Sequence, residues 1–371
     1  MARTAETGRA ATRLVSTLMG VAVVGAACAL AAWPTDPGVV ELSYSTTVYP
    51  VVQRLVTLLS NATPFSWLDA LVGAASLWVL WRAWRIGRAP RGQRWAAVGT
   101  LLWHGLVVSA IGYLLFAGMW GLNYRRLPLE RRVAYERDRV TAEAVSAFAG
   151  RAVASVNALS TLSRSGDHAA AGVAAVAEQL GPAFDAVVRD LRLPAVERAR
   201  PKTPVLSVWF NAMGVSGMTN PFGLETLVAS NLLDHERPMV VAHEWAHLAG
   251  IGPESEATFV AFVVCLRSGP GARYSAWLDV TLRTLRILPD AERAALAAQL
   301  EPAVRADIQA MADRNERDQL RWLSLTAWNV YDRYLKANRV PAGVRSYDEV
   351  VALLVGTQFT DEGGLAKGPG T

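Results

Sequence analysis

The sequence predicts a membrane-anchored, mainly α-helical protein in which about three N-terminal transmembrane helices precede an α-rich α+β domain. Its 371 residues are 52% hydrophobic and only 19% charged, which is too apolar for an ordinary soluble protein. The formal net charge of +5 lies entirely in residues 1–124, where nine arginines stand against four acidic residues. Residues 125–371 hold 28 residues of each sign. The first third of the chain therefore carries the whole positive excess, and the rest is balanced in charge.

Three apolar stretches define the predicted spans, over residues 14–33, 65–84 and 95–120. Each is long enough to cross a hydrocarbon core of about 30 Å as a helix. A removable signal peptide is the alternative for the first stretch, although its twenty apolar residues exceed the usual signal core. Pro64 precedes the second stretch, and we expect residues 48–60 before it to form an interfacial or tilted helix.

The arginines predict how these spans are oriented. Residues 82–94, between the second and third stretches, hold five arginines and no acidic residue, and such loops stay in the cytoplasm. With three spans, residues 125–359 form a domain outside the cytoplasm, on a multi-pass protein of the cytoplasmic membrane. The orientation of the predicted spans accounts for the excess of arginines over acidic residues. The expected partner is therefore the lipid bilayer, and nucleic acid is not expected.

The domain is expected to be mainly helical with two strands. Residues 204–210 and 225–233 have strand patterns on either side of a Gly-rich segment at 214–223. That segment is either a tight connection or part of a sheet edge that binds an extended peptide. Residues 360–371 are expected to be disordered. The expected helices cover about 128–160, 167–189, 238–249, 253–267, 272–288, 291–312, 316–337 and 347–356.

The chemical signal is an HEWAH motif that begins at His243. In a helix His243 and His247 lie one turn apart on one face, so both imidazoles can bind one Zn²⁺ with Glu244 beside them as a base. A third protein ligand is needed, and Glu254 and Glu256 both fall in the first turn of the next expected helix. We favour Glu256, because the apolar residues after it indicate a helix that packs back on the motif helix.

Two histidines and a glutamate with an open fourth position form a catalytic zinc arrangement. The expected reaction is hydrolysis of a peptide bond in a peptide or protein substrate, in which Glu244 takes a proton from water and passes it to the leaving amine. Tyr331, and after it Tyr334, offers a phenol that can stabilise the oxyanion. Aromatic residues at such spacing more often belong to a helix core.

The residues around the motif resemble a known family. HEWAHLAGIGPESEATFVAF looks like the motif of an uncharacterised bacterial family of multi-span membrane proteins with a gluzincin-like metallopeptidase domain. The resemblance extends over most of residues 40–357, through VYPVVQRLVTLLSNATPFSWLD, WGLNYRRLPL, MGVSGMTNPFG and YDRYLKANRVPAGVRSYDEVVALL. It implies a zincin-like fold, a membrane location and no known substrate.

By that resemblance His243, His247 and Glu256 would be the zinc ligands and Glu244 the base. Many gluzincins have an aspartate four residues after the glutamate ligand, where it orients the first histidine. Counted from Glu256, that position is Val260 here, so the partner of the histidine must come from elsewhere.

Two other interpretations stay open. The protein can be a membrane sensor or scaffold with a structural or vestigial zinc site, which would then be buried or have four protein ligands. Intramembrane proteolysis would place the motif helix inside the bilayer. Charged residues at 234, 236, 237 and 254 bracket that helix within a run too short to span.

Overall fold

The computed structural model describes residues 2–88, 90–162, 172–338, 349–359 and 365–366, with side chains from residue 14 onward except at residue 91. The chain is mainly helical, as predicted, and two short strands form an antiparallel hairpin. The elements are α1 (Ala2–Ala32), α2 (Pro37–Val40), α3 (Val48–Asn61), α4 (Trp67–Arg88), α5 (Arg94–Met119), α6 (Ala142–Leu162), α7 (Val173–Asp190), α8 (Ser207–Met213), β1 (Gly217–Asn220), β2 (Glu225–Val228), α9 (Arg237–Leu248), α10 (Glu254–Leu266), α11 (Pro270–Ile287), α12 (Asp290–Ala298), α13 (Pro302–Asp318), α14 (Arg321–Ala337) and α15 (Glu349–Gly356).

Two helices in the described part of the chain are long and apolar enough to cross a membrane, by length and composition alone. They are Leu14–Ala32 within α1 and the whole of α5, and they coincide with the first and third predicted spans. The predicted second span is also helical, as α4, but it does not meet the same criterion. α1 packs along α5, where Gly20 makes room for an indole: a Cβ there would lie 2.7 Å from Trp103 Cζ2.

The segment between α1 and α4 packs into the core of the domain. Val40, Tyr44 and Tyr49 belong to the same buried apolar cluster as the motif helix α9. The Tyr49 hydroxyl donates a 2.8 Å hydrogen bond to the carbonyl of Leu248, the last residue of that helix. The core therefore continues across residue 124, and the predicted boundary between a membrane region and a separate domain does not coincide with its edge.

The centre of this core is the antiparallel packing of α9 against α10, with α7, α11 and α15 around it. The described residues of α10 are buried on every side from its first turn to Cys265. A second apolar cluster lies between α6, α11 and α13 and contains no residue before Ala149. α12 packs against α6 and α11, and α13 packs against α6 and α8.

The strand predicted at 204–210 is wrong, and β1 forms later, inside the Gly-rich segment. Asp69 accepts hydrogen bonds from the backbone N–H groups of Val205 and Leu206, at 2.7 and 3.0 Å, and bends the chain there. The helix α8 follows and ends at Gly214, whose φ of +74° suits glycine. Of the apolar residues that suggested a strand, Val205, Val208 and Trp209 are instead exposed on this turn and helix, and Phe210 is buried. The second predicted strand is present as β2, over a shorter range.

The helix predicted from residue 128 begins only at Ala142. Before it, two 3₁₀ turns occur at Leu129–Arg131 and Arg137–Arg139. Backbone bonds to the C-terminal segment favour this irregular path, because Glu136 N–H donates to the carbonyl of Gly356 at 2.9 Å. Of the tail predicted to be disordered, only residues 365–366 are described, and Leu365 bridges to Phe359. The rest of that tail lies outside the described residues.

A buried ion cluster joins the segment before α3 to the segment after α5. Glu41 accepts from Arg126 at 2.7 and 3.0 Å and also from Arg132. Arg126 in turn donates to the carbonyls of Ala249 at 3.3 Å and Gly250 at 3.0 Å, where α9 ends. Burial alone would raise the pKa of Glu41, but the two guanidinium groups outweigh it and lower the pKa below its ordinary value.

We expect Glu41→Gln to lower the free energy of unfolding by about 3 kcal/mol near neutral pH, because it leaves buried guanidinium groups without their counter-charge. Glu41 has a lowered pKa in the fold, so its contribution is present above its unfolded pKa and is lost as pH falls through the folded pKa. The difference between wild type and variant should therefore shrink in acid. Thermal unfolding in detergent at several pH values measures it. The exposed Glu178→Gln is the control, and an equal melting temperature for Glu41→Gln would contradict the prediction.

Candidate metal centre

A tight reversal between α9 and α10 forms the centre. Gly250 follows α9 with a φ of +78°, a left-handed conformation that ends a helix. A Cβ at this position would also lie 3.0 Å from both Arg126 and Asn123, so the turn packs closely under the ion cluster. α10 then begins at Glu254, directly after Pro253. The reversal brings the first turn of α10 back over the last turn and a half of α9.

Three side chains meet across this reversal. The Nε2 atom of His243 lies 3.0 Å from Glu254 Oε2 and 3.1 Å from Nε2 of His247, and the latter lies 3.6 Å from the same carboxylate oxygen. Ligands at about 2.0–2.1 Å from a tetrahedral zinc ion lie about 3.3 Å from one another. The three atoms thus have the separations of a zinc ligand set. Among the described residues, His243, His247 and Glu254 are the set of histidine, cysteine and acidic side chains whose ligand atoms lie close enough together to hold one metal ion.

Glu256 does not join this group, so the choice of Glu256 over Glu254 is corrected. Its carboxylate accepts the backbone N–H of Leu129 at 3.0 Å, on another side of α10. Burial raises the pKa of Glu256 to about 7, against the lowering effect of that hydrogen bond. Because α10 is buried all round, the apolar run after Glu256 carried no information about which side of the helix faces α9.

Each member of the group has a partner on its outer side. Thr258 Oγ1 lies 3.2 Å from Nδ1 of His243, and the Ile251 carbonyl lies 2.7 Å from Nδ1 of His247. With each Nδ1 atom occupied in this way, both Nε2 lone pairs are directed toward the common point. The hydroxyl of Tyr331 donates to Oε1 of Glu254 and leaves Oε2 for that point.

Thr258 is the partner of His243 that the sequence did not identify. It stands four residues after Glu254, the position at which many gluzincins carry an aspartate. Counting from Glu256 led instead to Val260, which cannot donate or accept. The spacing from Glu254 is the sequence signal that would have identified both the third member of the group and the partner of His243.

The charges within the centre favour a bound cation. Burial alone would raise the pKa of Glu254, but the two imidazoles hold it well below its ordinary value. Burial would likewise lower the pKa of His247, but the carboxylates of Glu254 and Glu244 and the Ile251 carbonyl raise it to about 9. Without a metal ion, a proton on the histidine therefore supplies the positive charge that these carboxylates need.

Glu244 is buried between α9 and β1. Its Oε2 accepts a 2.9 Å hydrogen bond from Thr219 Oγ1, and burial raises its pKa against the lowering effect of the two histidines. Gly217 is in contact with the same carboxylate, and a Cβ there would lie only 2.8 Å from Oε1. The absence of a side chain at Gly217 therefore allows β1 to lie directly over Glu244.

β1 is an edge strand next to this carboxylate. Gly217 and Thr219 stand opposite Val228 and Thr226, and these last two bond through the backbone to Lys202 on the far side of β2. They are therefore the non-hydrogen-bonded pairs of the hairpin. The N–H and C=O groups of Gly217 and Thr219 consequently point away from β2.

The centre lies at the end of α5. The indole N–H of Trp120, the residue after α5, donates to the His247 carbonyl at 2.8 Å. Tyr334 packs edge-on against Phe116 of α5 and Tyr124, with centroid distances of 6.0 Å to each, and stacks on Tyr331. Of the two tyrosines considered, Tyr331 reaches the centre and Tyr334 belongs to this aromatic cluster.

Comparison with known protein families identifies a match. A family model with the description "Protein of unknown function (DUF3810)" matches residues 44–355. No curated protein and no solved structure matches the chain. The match includes α3 to α15 and therefore both sides of the candidate centre. The expected resemblance to an uncharacterised family is confirmed at this level: the chain belongs to the DUF3810 family of proteins of unknown function.

Proposed function

We propose that the protein is a membrane-anchored zinc metallopeptidase whose metal ligands are His243, His247 and Glu254. One observation carries the proposal: three ligand atoms converge at zinc-like separations, and each ligand has a hydrogen-bond partner on its outer side. Two imidazoles and one carboxylate suit Zn²⁺ better than Mg²⁺ or Ca²⁺, which prefer oxygen ligands. Zn²⁺ bound there would supply a Lewis acid for the scissile carbonyl and for a water molecule.

Glu244 is the proposed general base. It accepts a proton from the attacking water as the water oxygen bonds to the carbonyl carbon, and it gives that proton to the amine when the C–N bond breaks. Thr219 holds the carboxylate in place through its hydroxyl. Burial raises the pKa of Glu244, and a raised pKa favours a carboxylate that accepts a proton.

The free edge of β1 is the proposed binding site for an extended peptide. Gly217 and Thr219 present outward backbone groups next to Glu244, so a substrate strand paired with them would pass the base. This favours the sheet-edge interpretation of the Gly-rich segment over a simple connection. Main-chain pairing would also make recognition depend little on the side chains of the substrate.

The sensor or scaffold is the second candidate function. A structural zinc site is closed by four protein ligands, whereas the group in the described residues has three. The side chain of His243 keeps 16% of its surface exposed, so the centre is reached from outside. Both features favour catalysis over a structural role.

Membrane anchoring by α1, α4 and α5 is part of the proposal. α4 has no buried residue along its whole length, and it exposes apolar side chains such as Leu71, Leu77 and Val79 on several sides. An apolar helix that is exposed all round is stable in lipid rather than in water. With the arginine-rich 82–94 segment in the cytoplasm, the metal centre lies outside the cytoplasm.

Zinc content distinguishes the two acidic residues of α10. We expect about one zinc per chain in the purified full-length protein, as for a single three-ligand site. Glu254→Gln and His243→Ala should lose it in competition with a chelator, because each removes a ligand. Glu256→Gln is the matched control, since its amide oxygen still accepts from Leu129 N–H. Zinc lost in Glu256→Gln and kept in Glu254→Gln would refute the assignment.

Glu244→Gln tests the catalytic part of the proposal. The amide cannot accept the proton, so we expect hydrolysis to fall by about 10²–10⁴-fold with the zinc content unchanged. The measurement compares new peptide termini in the membrane proteomes of cells that carry wild type or the variant. Glu178→Gln should match wild type. Identical termini in the wild type and Glu244→Gln would favour the scaffold.

Tyr331→Phe separates two roles of this tyrosine. The hydrogen bond to Glu254 supports a positioning role, and loss of such an outer partner typically lowers metal affinity by about 10–100-fold. A residue that only stabilises the oxyanion would leave zinc affinity unchanged and lower kcat alone. We expect the weaker zinc affinity. An unchanged zinc affinity with a reduced kcat would show that Tyr331 acts only on the oxyanion.

A further inference from the structure

Helix α3 has the reverse polarity of a helix on the surface of a soluble domain. Its buried side chains are Tyr49 and three polar ones: Gln53, Thr57 and Ser60. Five apolar side chains point outward, with exposures of 45–60%, whereas Val52 and Val56 pack partly against the core. In water the apolar stripe would face the core, so the medium around this helix is expected to be apolar. The outward residues, here called the α3 face, are Val48, Val51, Leu55, Leu58 and Leu59.

The three buried polar side chains of α3 attach the helix to the domain through hydrogen bonds. Gln53 exchanges two hydrogen bonds with the backbone of Glu197, at 2.7 and 3.0 Å. Thr57 donates to the carbonyl of Leu224 at 2.8 Å, and Ser60 lies 3.3 Å from the carboxylate of Glu225. The orientation of α3 is thus fixed by specific bonds, and it could not rotate its apolar face inward without breaking them.

The buried carboxylate of Glu225 binds both the end of α3 and the start of α4. Glu225 accepts from Ser60, from Ser66 at 3.2 Å, and from the backbone N–H groups of Trp67 and Leu68 at 3.1 and 2.9 Å. Its negative charge also suits the N-terminus of α4. The α3 face is therefore continuous with the outer end of α4, a proposed span.

A second apolar surface begins at the same end of α4 and leads to the metal centre. Asp69, in the first turn of α4, holds the backbone of Val205 and Leu206, and α14 packs on α8, where Leu320 N–H donates to the Ala212 carbonyl at 2.9 Å. The exposed apolar residues, here called the α8–α14 face, are Val205, Val208, Trp209, Trp322, Leu325 and Val330, with exposures of 55–84%. Tyr331 of α14 contacts Glu254 at the centre.

We propose that the α3 face and the α8–α14 face lie in the interfacial region of the bilayer that α1, α4 and α5 cross. The partner is lipid, because both faces adjoin the outer end of α4 and tryptophans are prominent on the second, as at membrane interfaces. Arg54, the single charged residue of α3, is exposed and can extend its guanidinium to lipid phosphates.

Contact of these faces with the bilayer also limits the class of substrate that can reach the centre, an inference that rests on the proposed function. The centre is bounded by Trp120 at the end of α5 and by α14, so its entrance lies at the level of the membrane surface. A polypeptide segment that lies on or leaves the bilayer reaches β1 at a high local concentration, whereas a free peptide does not. The substrate class is therefore a membrane-surface segment of a polypeptide.

Spin-label accessibility tests the lipid contact in the full-length protein, reconstituted in nanodiscs of phosphatidylcholine and phosphatidylglycerol. Labels are placed at Leu55→Cys, Val208→Cys and Leu325→Cys, with Ala294→Cys as control on α12, in a chain without its two native cysteines. At the three face positions we expect a several-fold higher ratio of collisions with oxygen to collisions with a water-soluble nickel chelate than at Ala294. Ratios equal to the control would overturn the proposal.

Low collision rates with both reagents would also overturn it, because they would show a second copy or another protein on these faces. The same labels in the Glu244→Gln background measure depth without any hydrolysis. Lipid contact without peptidase activity would therefore remove the proposed function and leave the lipid contact standing.

The substrate step is tested with one set of quenched fluorescent peptides, either free or anchored to vesicles by a palmitoyl chain. Rates are normalised to those of trypsin on the same preparations. We expect faster hydrolysis of the anchored peptides, and equal normalised rates would overturn the membrane-surface assignment. A triple variant of the α3 face, V51Q/L55Q/L59Q, keeps every inward hydrogen bond and should lose the preference while it retains zinc.

Discussion

The arrangement of the centre depends on Arg126. Its guanidinium binds the last carbonyls of the motif helix and is itself neutralised by Glu41, so it fixes where α9 ends and how α10 returns. A cation at a helix C-terminus complements the negative end of the helix dipole. Because the turn at Gly250 packs directly under this group, the direction of α10 is set by the same contact. The placement of Glu254 opposite the two histidines follows from that direction.

The same contacts connect the metal centre to the helices proposed to cross the membrane. Trp120 binds the His247 carbonyl and Tyr49 binds the Leu248 carbonyl, so α5 and the segment before α3 both hold the end of α9. On the opposite side, Glu225 joins the start of α4 to β2, the partner of the edge strand. The motif helix and the proposed peptide-binding edge are thus each attached to a different proposed span. A shift of α4 against α5 would change the distance between the edge strand β1 and the candidate metal centre.

Features that depend on local spacing could be predicted from the sequence, and features that depend on packing direction could not. His243, Glu244 and His247 are defined by one helical turn, and long apolar runs identify α1 and α5. Glu254 and Glu256 are both in the first turn of α10, so only the path of the chain after Gly250 chooses between them. The misplaced strand at 204–210 has a similar cause, since its apolar pattern is typical of contact with an apolar surface that need not be a β-sheet. The polarity of α3 was visible in the sequence, but which face is buried was not.

The outer hydrogen bonds support the proposal that the site binds a metal ion. Glu254, His247 and Glu244 are almost wholly buried, and burying ionisable groups costs free energy unless opposite charge is supplied. A chain with no use for the metal would gain stability by replacing these groups with apolar residues of similar volume. Here Thr258, Ile251 and Tyr331 instead direct the lone pairs of the three ligands to one point. The converging acceptors need positive charge between them, which a proton on His247 supplies without a metal ion and which a divalent cation would supply more strongly. The fold therefore holds these buried polar groups in an arrangement that a bound metal ion would stabilise.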